Sequence, residues 1–252
     1  MRIGIISDIH SNLEALEAAL EDIKTQNVEI IYCTGDLVGY AANPNEVIDL
    51  LRKNSVNCIM GNHDYACFNQ RIRAEMNRDA RDAIDYTKRV LTSENLLFLK
   101  ELPWYINENG IYLIHGLPPA HLDEYIHKQS KDELKQAFSS FCEQVAFVGH
   151  THLFEIYQMT RNGEIRGPGF RQNKFKLEPR SRYLISAGSI GQPREDNREA
   201  GYLVYDTGIH QIIKRTFLYN VELTIEKIKN AGLPLENGRR LLKDKRKPAT
   251  FE

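Results

Sequence analysis

No stretch of this 252-residue chain approaches the ~18 consecutive apolar residues that a membrane-spanning helix requires. The N-terminus carries one Arg and a five-residue apolar run, too short for the apolar region and cleavage site of a signal peptide. Neither sign of charge is in excess: 33 Lys+Arg face 34 Asp+Glu, a formal net charge of −1. The chain thus lacks the positive surplus that a phosphate backbone demands, which disfavours a nucleic-acid binder. Cysteine is scarce. Cys33, Cys58, Cys67 and Cys142 form no C-x-x-C pair and read as small buried or half-buried thiols of a reducing cytoplasm. Internal repeats and low-complexity segments are missing. Disorder as the main state is excluded by an apolar content of 42%.

What is present is alternation. Apolar runs at Arg2–Ile6, Val28–Cys33 and Val56–Met60 read as strands. Between them, Leu13, Leu16, Leu20 and Ile23, then Val47, Ile48, Leu50 and Leu51, recur at helical spacing. This order implies right-handed βαβ units around a largely parallel sheet. Residues 66–102 contain no Gly or Pro and predict two helices, 71–91 and 93–101, with Ser93 as N-cap of the second. Further strands are expected at Ile111–His115 and Val145–Gly149, around a helix at Lys131–Phe141. Short strands follow at Phe154–Met159, Lys174–Leu177, Tyr183–Ala187, Tyr202–Tyr205 and Ile209–Phe217, with Arg161-Asn162-Gly163 as a hairpin turn. Residues 221–231 predict a helix, and the basic tail 239–252 is expected to fray.

Five short motifs fall where strand-like runs end: Asp8-Ile9-His10, Gly35-Asp36, Gly61-Asn62-His63-Asp64, His115-Gly116 and Gly149-His150-Thr151-His152. In α/β folds, ligand sites form beyond the carboxyl ends of strands, so side chains over 140 residues apart can converge. The set mixes carboxylate, amide and imidazole without thiolate, which suits Mn, Fe, Co, Ni or Zn better than Ca or Mg. In an extended backbone, i and i+2 point to one side, so Asp-x-His and His-x-His are expected to aim both donors at one site. The glycines before Asp36, Asn62 and His150 are expected to allow sharp turns.

These motifs together resemble the calcineurin-like metallophosphoesterase superfamily. The match runs through residues 3–152 and extends weakly to Gly188–Arg194. Gly35-Asp36-Leu37-Val38-Gly39-Tyr40 with Pro44-Asn45-Glu46-Val47 resembles its small prokaryotic phosphodiesterase-like branch, as does the stretch from Tyr86 to Pro103. The resemblance implies an α/β fold, a four-layer α/β/β/α sandwich in one domain over 1–252, with a cap-like helical insert at 66–102. It implies two divalent or mixed-valence transition-metal ions. Asp8, His10 and His152 would take one, and Asn62, His115 and His150 the other. Asp36 would bridge them, and a hydroxide between the ions would attack phosphorus in line. His63 corresponds to the residue near the leaving group, a general acid or electrostatic stabiliser. Two divalent ions would outweigh the two aspartates and one hydroxide, leaving a cationic centre that attracts a phosphate ester.

The pattern also breaks. Protein Ser/Thr phosphatases of the superfamily carry Gly-Asp-x-x-Asp-Arg-Gly, whereas Gly39, Tyr40 and Ala41 stand here. Both the Asp that orients the histidine and the Arg that grips phosphate are missing. Asp64 is not expected to replace that Asp, because adjacent residues point apart. Arg194 is the candidate phosphate contact. Arg71, Arg73, Arg78 and Arg81 alternate with Glu75, Asp79, Asp82 and Asp85 and read as a salt-bridged face. His121, His127 and His210 match no motif, although His121 is near enough to His115 to rim the site. Trp104, Tyr105 and Phe68 read as packing residues rather than a nucleobase platform.

The expected activity is that of a cytoplasmic, dinuclear metal-dependent phosphohydrolase acting on a small phosphodiester or nucleotide, of phosphodiesterase or dinucleoside-polyphosphate hydrolase type. Alternatives are a phosphomonoesterase or protein phosphatase of the same fold, a nuclease, and a non-catalytic scaffold. The near-neutral charge favours a small substrate over a nucleic acid, with no membrane partner.

Overall fold

The run Arg2–Ile6 forms strand β1, and its two faces meet different partners. Ile3 and Ile5 enter a core shared with Tyr32, Phe147, Ile185 and Leu203. Ile6 faces the other way, onto Leu16, Ala19 and Ile23. Successive strand side chains face opposite sides, so a strand buried on both is apolar throughout.

The computed structural model describes residues 1–170, 172–195 and 199–242. After β1 come α1 (Leu13–Lys24), β2 (Ile30–Cys33), α2 (Pro44–Lys53), β3 (Asn57–Cys58), α3 (Asn62–Ala66), α4 (Gln70–Glu75), α5 (Arg78–Val90) and α6 (Ser93–Glu101). There follow β4 (Tyr105–Glu108), β5 (Ile111–Ile114), α7 (Lys131–Ser139), β6 (Val145–Val148), β7 (Phe154–Met159), β8 (Ile165–Arg166) and β9 (Lys174–Lys176). The described chain ends with β10 (Arg182–Ala187), β11 (Ala200–Asp206), β12 (Gln211–Phe217), α8 (Val221–Asn230) and α9 (Leu235–Arg239). One sheet has the order β3-β2-β1-β11-β12-β9 and the other β4-β5-β6-β10-β7-β8. β1, β2 and β3 are parallel, as are β5, β6 and β10. The remaining pairs are antiparallel.

Helices α1 and α2 cover the outer face of the first sheet. Helix α7 covers the second, with Leu134, Ala137 and Phe138 on Tyr112, Ala146 and Leu184. The layers run helix, sheet, sheet, helix, the α/β/β/α sandwich that the family resemblance implies.

Several local expectations are corrected. The helix expected over 71–91 is broken: Met76 is extended and the Asn77 side chain accepts the Ala80 N–H, starting α5 afresh. Thr92, not Ser93, caps α6, because its hydroxyl accepts the Asn95 N–H. The strand expected at Val56–Met60 shrinks to Asn57–Cys58, since the Met60 N–H leaves the sheet for the Pro103 carbonyl at 2.8 Å. Edge strand β4 leaves no strand pattern in the sequence: its side chains are largely exposed and carry no apolar alternation. Asn109 and Gly110, both at positive φ, turn it into β5. Cys142 is exposed, in the turn after α7, while Cys33, Cys58 and Cys67 are buried and free. Of the tail expected to fray, Arg240 pairs with Asp79 at 3.1 Å and Leu241 is buried against α5 and α8; residues 243–252 lie outside the described residues.

Candidate metal centre

All five motifs open at one end of the sandwich. Asp8, Asp36 and Asn62 follow β1, β2 and β3; His115 follows β5, and His150 and His152 follow β6. All six are buried, as are His10 and His63. The donors do not converge through extended backbone. Asp8, His10, Asp36, His150 and His152 all take positive φ, from 51° to 67°. Such a conformation is costly outside glycine and is held by surrounding bonds. The Asp8 N–H donates to the Gly35 carbonyl at 3.1 Å and the His10 N–H to the Asp36 carbonyl at 3.0 Å, lacing the β1 and β2 loops together. Gly191 N–H and Ser189 Oγ donate to the Asp8 carbonyl at 2.9 and 2.8 Å. The glycines also act differently from expectation. Gly35 alone of the three takes positive φ; at Gly61 a Cβ would stand 2.2 Å from the Asp36 backbone N, and at Gly149 2.5 Å from Ser7 Oγ. Those two provide close approach, not a turn.

Backbone carbonyls fix the imidazoles. Nδ1 of His10, His115 and His152 donates to the carbonyls of Val38 (3.1 Å), Thr34 (2.7 Å) and Gln192 (2.6 Å). A carbonyl only accepts, so a proton sits on each Nδ1; in His10 and His152, kept neutral by burial, the Nε2 lone pair then faces the centre. His150 is reversed: its Nε2 donates to the Asp123 carbonyl at 3.0 Å, leaving Nδ1 inward. Tyr125 lies against its ring at 4.1 Å.

The donors form two outer groups, joined by a third of His10, Asp36 and His63 that overlaps both. Asp8, His10 and His152 make one; Asp36, His115 and His150 make the other. In the first, His152 Nε2 is 3.3 Å from Asp8 Oδ1, and His10 Nε2 is 3.8 Å from it. In the second, His115 Nε2 is 3.3 Å from Asp36 Oδ2 and 3.0 Å from Asn62 Oδ1. Asp36 Oδ2 lies 3.6 Å from His10 Nε2, between the two groups.

Burial dominates the electrostatics. It pushes the Asp8 carboxyl up to about 7 and the His10 and His152 imidazoles well down. Burial, then His115, lowers His150 to about 3. Burial opposes ionisation of Asp36 too, but His115, His63 and His10 outweigh it and hold the carboxyl well below its usual range. Burial would depress His115, yet Asp36 raises it to about 9.

His63 sits beside both groups. Its backbone N–H donates to Asp36 Oδ1 at 2.8 Å. Its Nδ1 is buried without a hydrogen-bond partner among the described residues, and a Cβ on Gly39 would stand 2.4 Å from it. Tyr40 packs on the His63 and His10 rings, both at 4.7 Å. Burial lowers the His63 imidazole to about 4. Asp64 is not its partner: Oδ1 accepts the N–H groups of Leu37 and Val38 at 2.9 and 3.1 Å, and Oδ2 that of Gly61 at 2.9 Å. It staples the β2 loop to the β3 loop.

The centre opens into a cleft of about 250 Å³, lined among others by Tyr40, His63, Ile72, Met76, Tyr125 and Arg194. Arg194 is among the lining residues, its backbone N–H donating to the His152 carbonyl at 3.3 Å. His121 does not rim the cleft; it is exposed and lies 3.1 Å from Glu124. His127 approaches Glu155 at 3.6 Å, and His210 lines a larger groove of about 790 Å³ that none of the motif residues lines. Trp104 packs on Tyr65 and Tyr105 on Tyr112, away from the cleft. Three of the insert's arginines pair with its carboxylates, Arg71 with Glu75 at 3.4 Å, Arg73 Nε with Asp85 at 2.7 Å and Arg78 with Asp82 at 3.8 Å, whereas Arg81 donates to the Ala74 carbonyl at 3.4 Å. Asp123 and Tyr125 carry no motif and were legible in no spacing.

Residues 1–208 match the calcineurin-like phosphoesterase superfamily domain. The chain belongs to this superfamily. An uncharacterized protein of Methanocaldococcus jannaschii is 36% identical over 244 residues, 95% of this chain and 96% of its own. A metallophosphoesterase from Sphaerobacter thermophilus superposes with a TM-score of 0.80 at 31% identity, covering 96% of this chain and 98% of its own. A hypothetical protein of Pyrococcus horikoshii shares the fold, with a TM-score of 0.77 at 21% identity over 95% of this chain and 97% of its own. No helix among the described residues of this phosphoesterase-family chain is long and apolar enough to cross a membrane.

The superfamily implies divalent metal ions, and the residues fit them. His10 Nε2 and His152 Nε2 stand 3.2 Å apart. Both Nδ1 atoms carry the protons, so two lone pairs confront each other with no hydrogen bond between them. A cation satisfies both. Donors at 2.0–2.1 Å from one ion lie roughly 3.0–3.4 Å from each other, close to the separations within each group.

Proposed function

We propose that this chain is a dinuclear metal-dependent phosphohydrolase acting on a small phosphodiester or nucleotide. Asp8, His10 and His152 would hold one ion, Asn62, His115 and His150 the other, with Asp36 between them. The observation that carries this reading is the pair of confronting lone pairs at 3.2 Å on His10 and His152, each fixed by a backbone carbonyl. Bound ions would supply Lewis acidity to phosphoryl oxygens and an acidified water.

The protein's own groups do the rest. Asp36 Oδ1 anchors the His63 backbone and so sets its ring at the cleft wall. Because Nδ1 is turned onto Gly39, Nε2 is the nitrogen that meets a leaving-group oxygen; the ring, kept neutral by burial, donates an Nε2–H hydrogen bond there as an electrostatic stabiliser. Arg194, on the cleft wall, pairs with phosphate oxygens. Ile72, Glu75, Met76, Asn77 and Ala80 of the insert wall one side of the cleft, the part expected of a cap within a single domain over 1–252. The cleft's size suits a small ester, not a nucleic-acid strand. The three buried free thiols accord with a reducing cytoplasm.

The test is hydrolysis of bis-p-nitrophenyl phosphate, with p-nitrophenyl phosphate as comparator, by protein loaded in turn with Mn²⁺, Zn²⁺, Fe²⁺, Ni²⁺ and Co²⁺. Activity that needs the metal, and a roughly 10²–10⁴-fold fall in kcat for His63→Ala at unchanged metal content, is expected. A fully loaded protein inert on both esters would overturn the proposal.

A further inference from the structure

The family match ends at residue 208, and the α8–α9 hairpin lies beyond it. This hairpin is not a detached appendage. Thr224 Oγ1 donates to Glu14 Oε2 at 2.9 Å, and Lys227 pairs with Glu14, fastening α8 to α1. Arg240 Nη2 pairs with Asp79 Oδ2 at 3.1 Å, fastening the end of α9 to α5. Between these ties, Ile228, Leu233 and Leu241 enclose Ala41 and Ala83 in a small core.

In that core lies Asn237, 1% exposed. Its Nδ2 donates to the Tyr40 carbonyl at 3.1 Å, while its Oδ1 is buried without a partner among the described residues. A buried amide with one unmet acceptor is a net cost unless the bond it makes matters elsewhere. Tyr40 is such a place. It holds φ at 53°, a conformation an L-residue keeps only when its surroundings impose it. Its ring rests on His63, whose Nδ1 has no hydrogen-bond partner among the described residues.

We propose that Asn237 is a positioning residue for His63, acting through Tyr40. The hairpin outside the family domain thereby supplies the orientation that a carboxylate gives in the Gly-Asp-x-x-Asp-Arg-Gly phosphatases. The inference rests on the role proposed for His63 above.

The test pairs Asn237→Leu, which fills the space but cannot donate, with Asn237→Ala, both in the full zinc-loaded chain. Nuclear Overhauser contacts between the Tyr40 and His63 rings should be present in the wild type and lost in both variants. Toward bis-p-nitrophenyl phosphate, kcat should fall roughly 10–100-fold at unchanged KM and zinc content. In a His63→Ala background, Asn237→Leu should cause no further fall, because the two residues act in series. A merely structural role predicts the opposite: Asn237→Leu would keep the ring contacts and the rate. Retained contacts, or losses that multiply in the double variant, overturn the proposal. If the wild type hydrolyses nothing, the proposed function fails, and the ring contacts still decide the latch.

Discussion

His10 and His152 stack at 4.9 Å with their Nε2 atoms 3.2 Å apart, each ring tethered at its far nitrogen. Rings so held cannot swing away from each other, so the centre is preorganised for a cation. Chelation should therefore lower Tm, by about 5–10 °C for an ion present at a hundredfold excess over its Kd, and re-addition of metal should restore it. Calorimetry with and without chelator checks this. His152→Ala should lower bound metal, counted by elemental analysis, and abolish most of the shift.

Gly39→Ala probes the wall behind His63. The new Cβ would press on Nδ1 at 2.4 Å, at a backbone φ of +97° that L side chains rarely adopt. The expected outcome is a loss of roughly 1–3 kcal/mol in stability. Turnover should fall roughly tenfold or more at unchanged metal content. Urea melts, kinetics and metal analysis on one preparation separate the three effects.

Asp64→Asn keeps shape but leaves one oxygen where two accept three backbone N–H groups. One loop end then faces an amide NH₂ instead of an acceptor, and the loss should be about 1–3 kcal/mol. Loss of activity is expected to track loss of folded protein in a denaturant series. Activity lost in the fully folded variant would instead place Asp64 in the chemistry.

Asp22 gives a pH dependence remote from the cleft. Burial opposes its ionisation, but Arg215 and the Tyr202 hydroxyl, donating at 2.7 and 2.6 Å, outweigh burial and hold the carboxyl below its usual range. A depressed folded-state value means stability that is complete above the unfolded value, near ~3.9, and is lost as pH falls through the folded one. Asp22→Asn should cost about 1–2 kcal/mol at pH 7, and the gap from wild type should close below about pH 4. Urea unfolding across that range measures it.

The buried strands were legible because a strand covered on both faces must be apolar at every position, as in Ile111–Ile114 and Val145–Val148. The motif positions were legible because ligand sites gather at strand ends. Their backbone was not: nothing in Asp-x-His announces φ near 51° at both residues, since tertiary hydrogen bonds to Gly35 and Asp36 impose it. The orienting carbonyls of Thr34, Val38, Asp123 and Gln192 leave no trace either, because any residue type presents a carbonyl. Edge strand β4 escaped because exposure removes the apolar alternation by which strands are read. Helix α9 escaped because it is a single short turn whose Asn237 and Gly238 argue against helix.

The donors divide between the two sheets: Asp8, Asp36 and Asn62 hang from the first, His115, His150 and His152 from the second. The centre is thus a clasp across a seam. Two sheets docked a single residue out of step would each keep a sound fold and yet share no metal. An ion held by both sets of donors would need the two sheets docked in register, so metal content would report assembly.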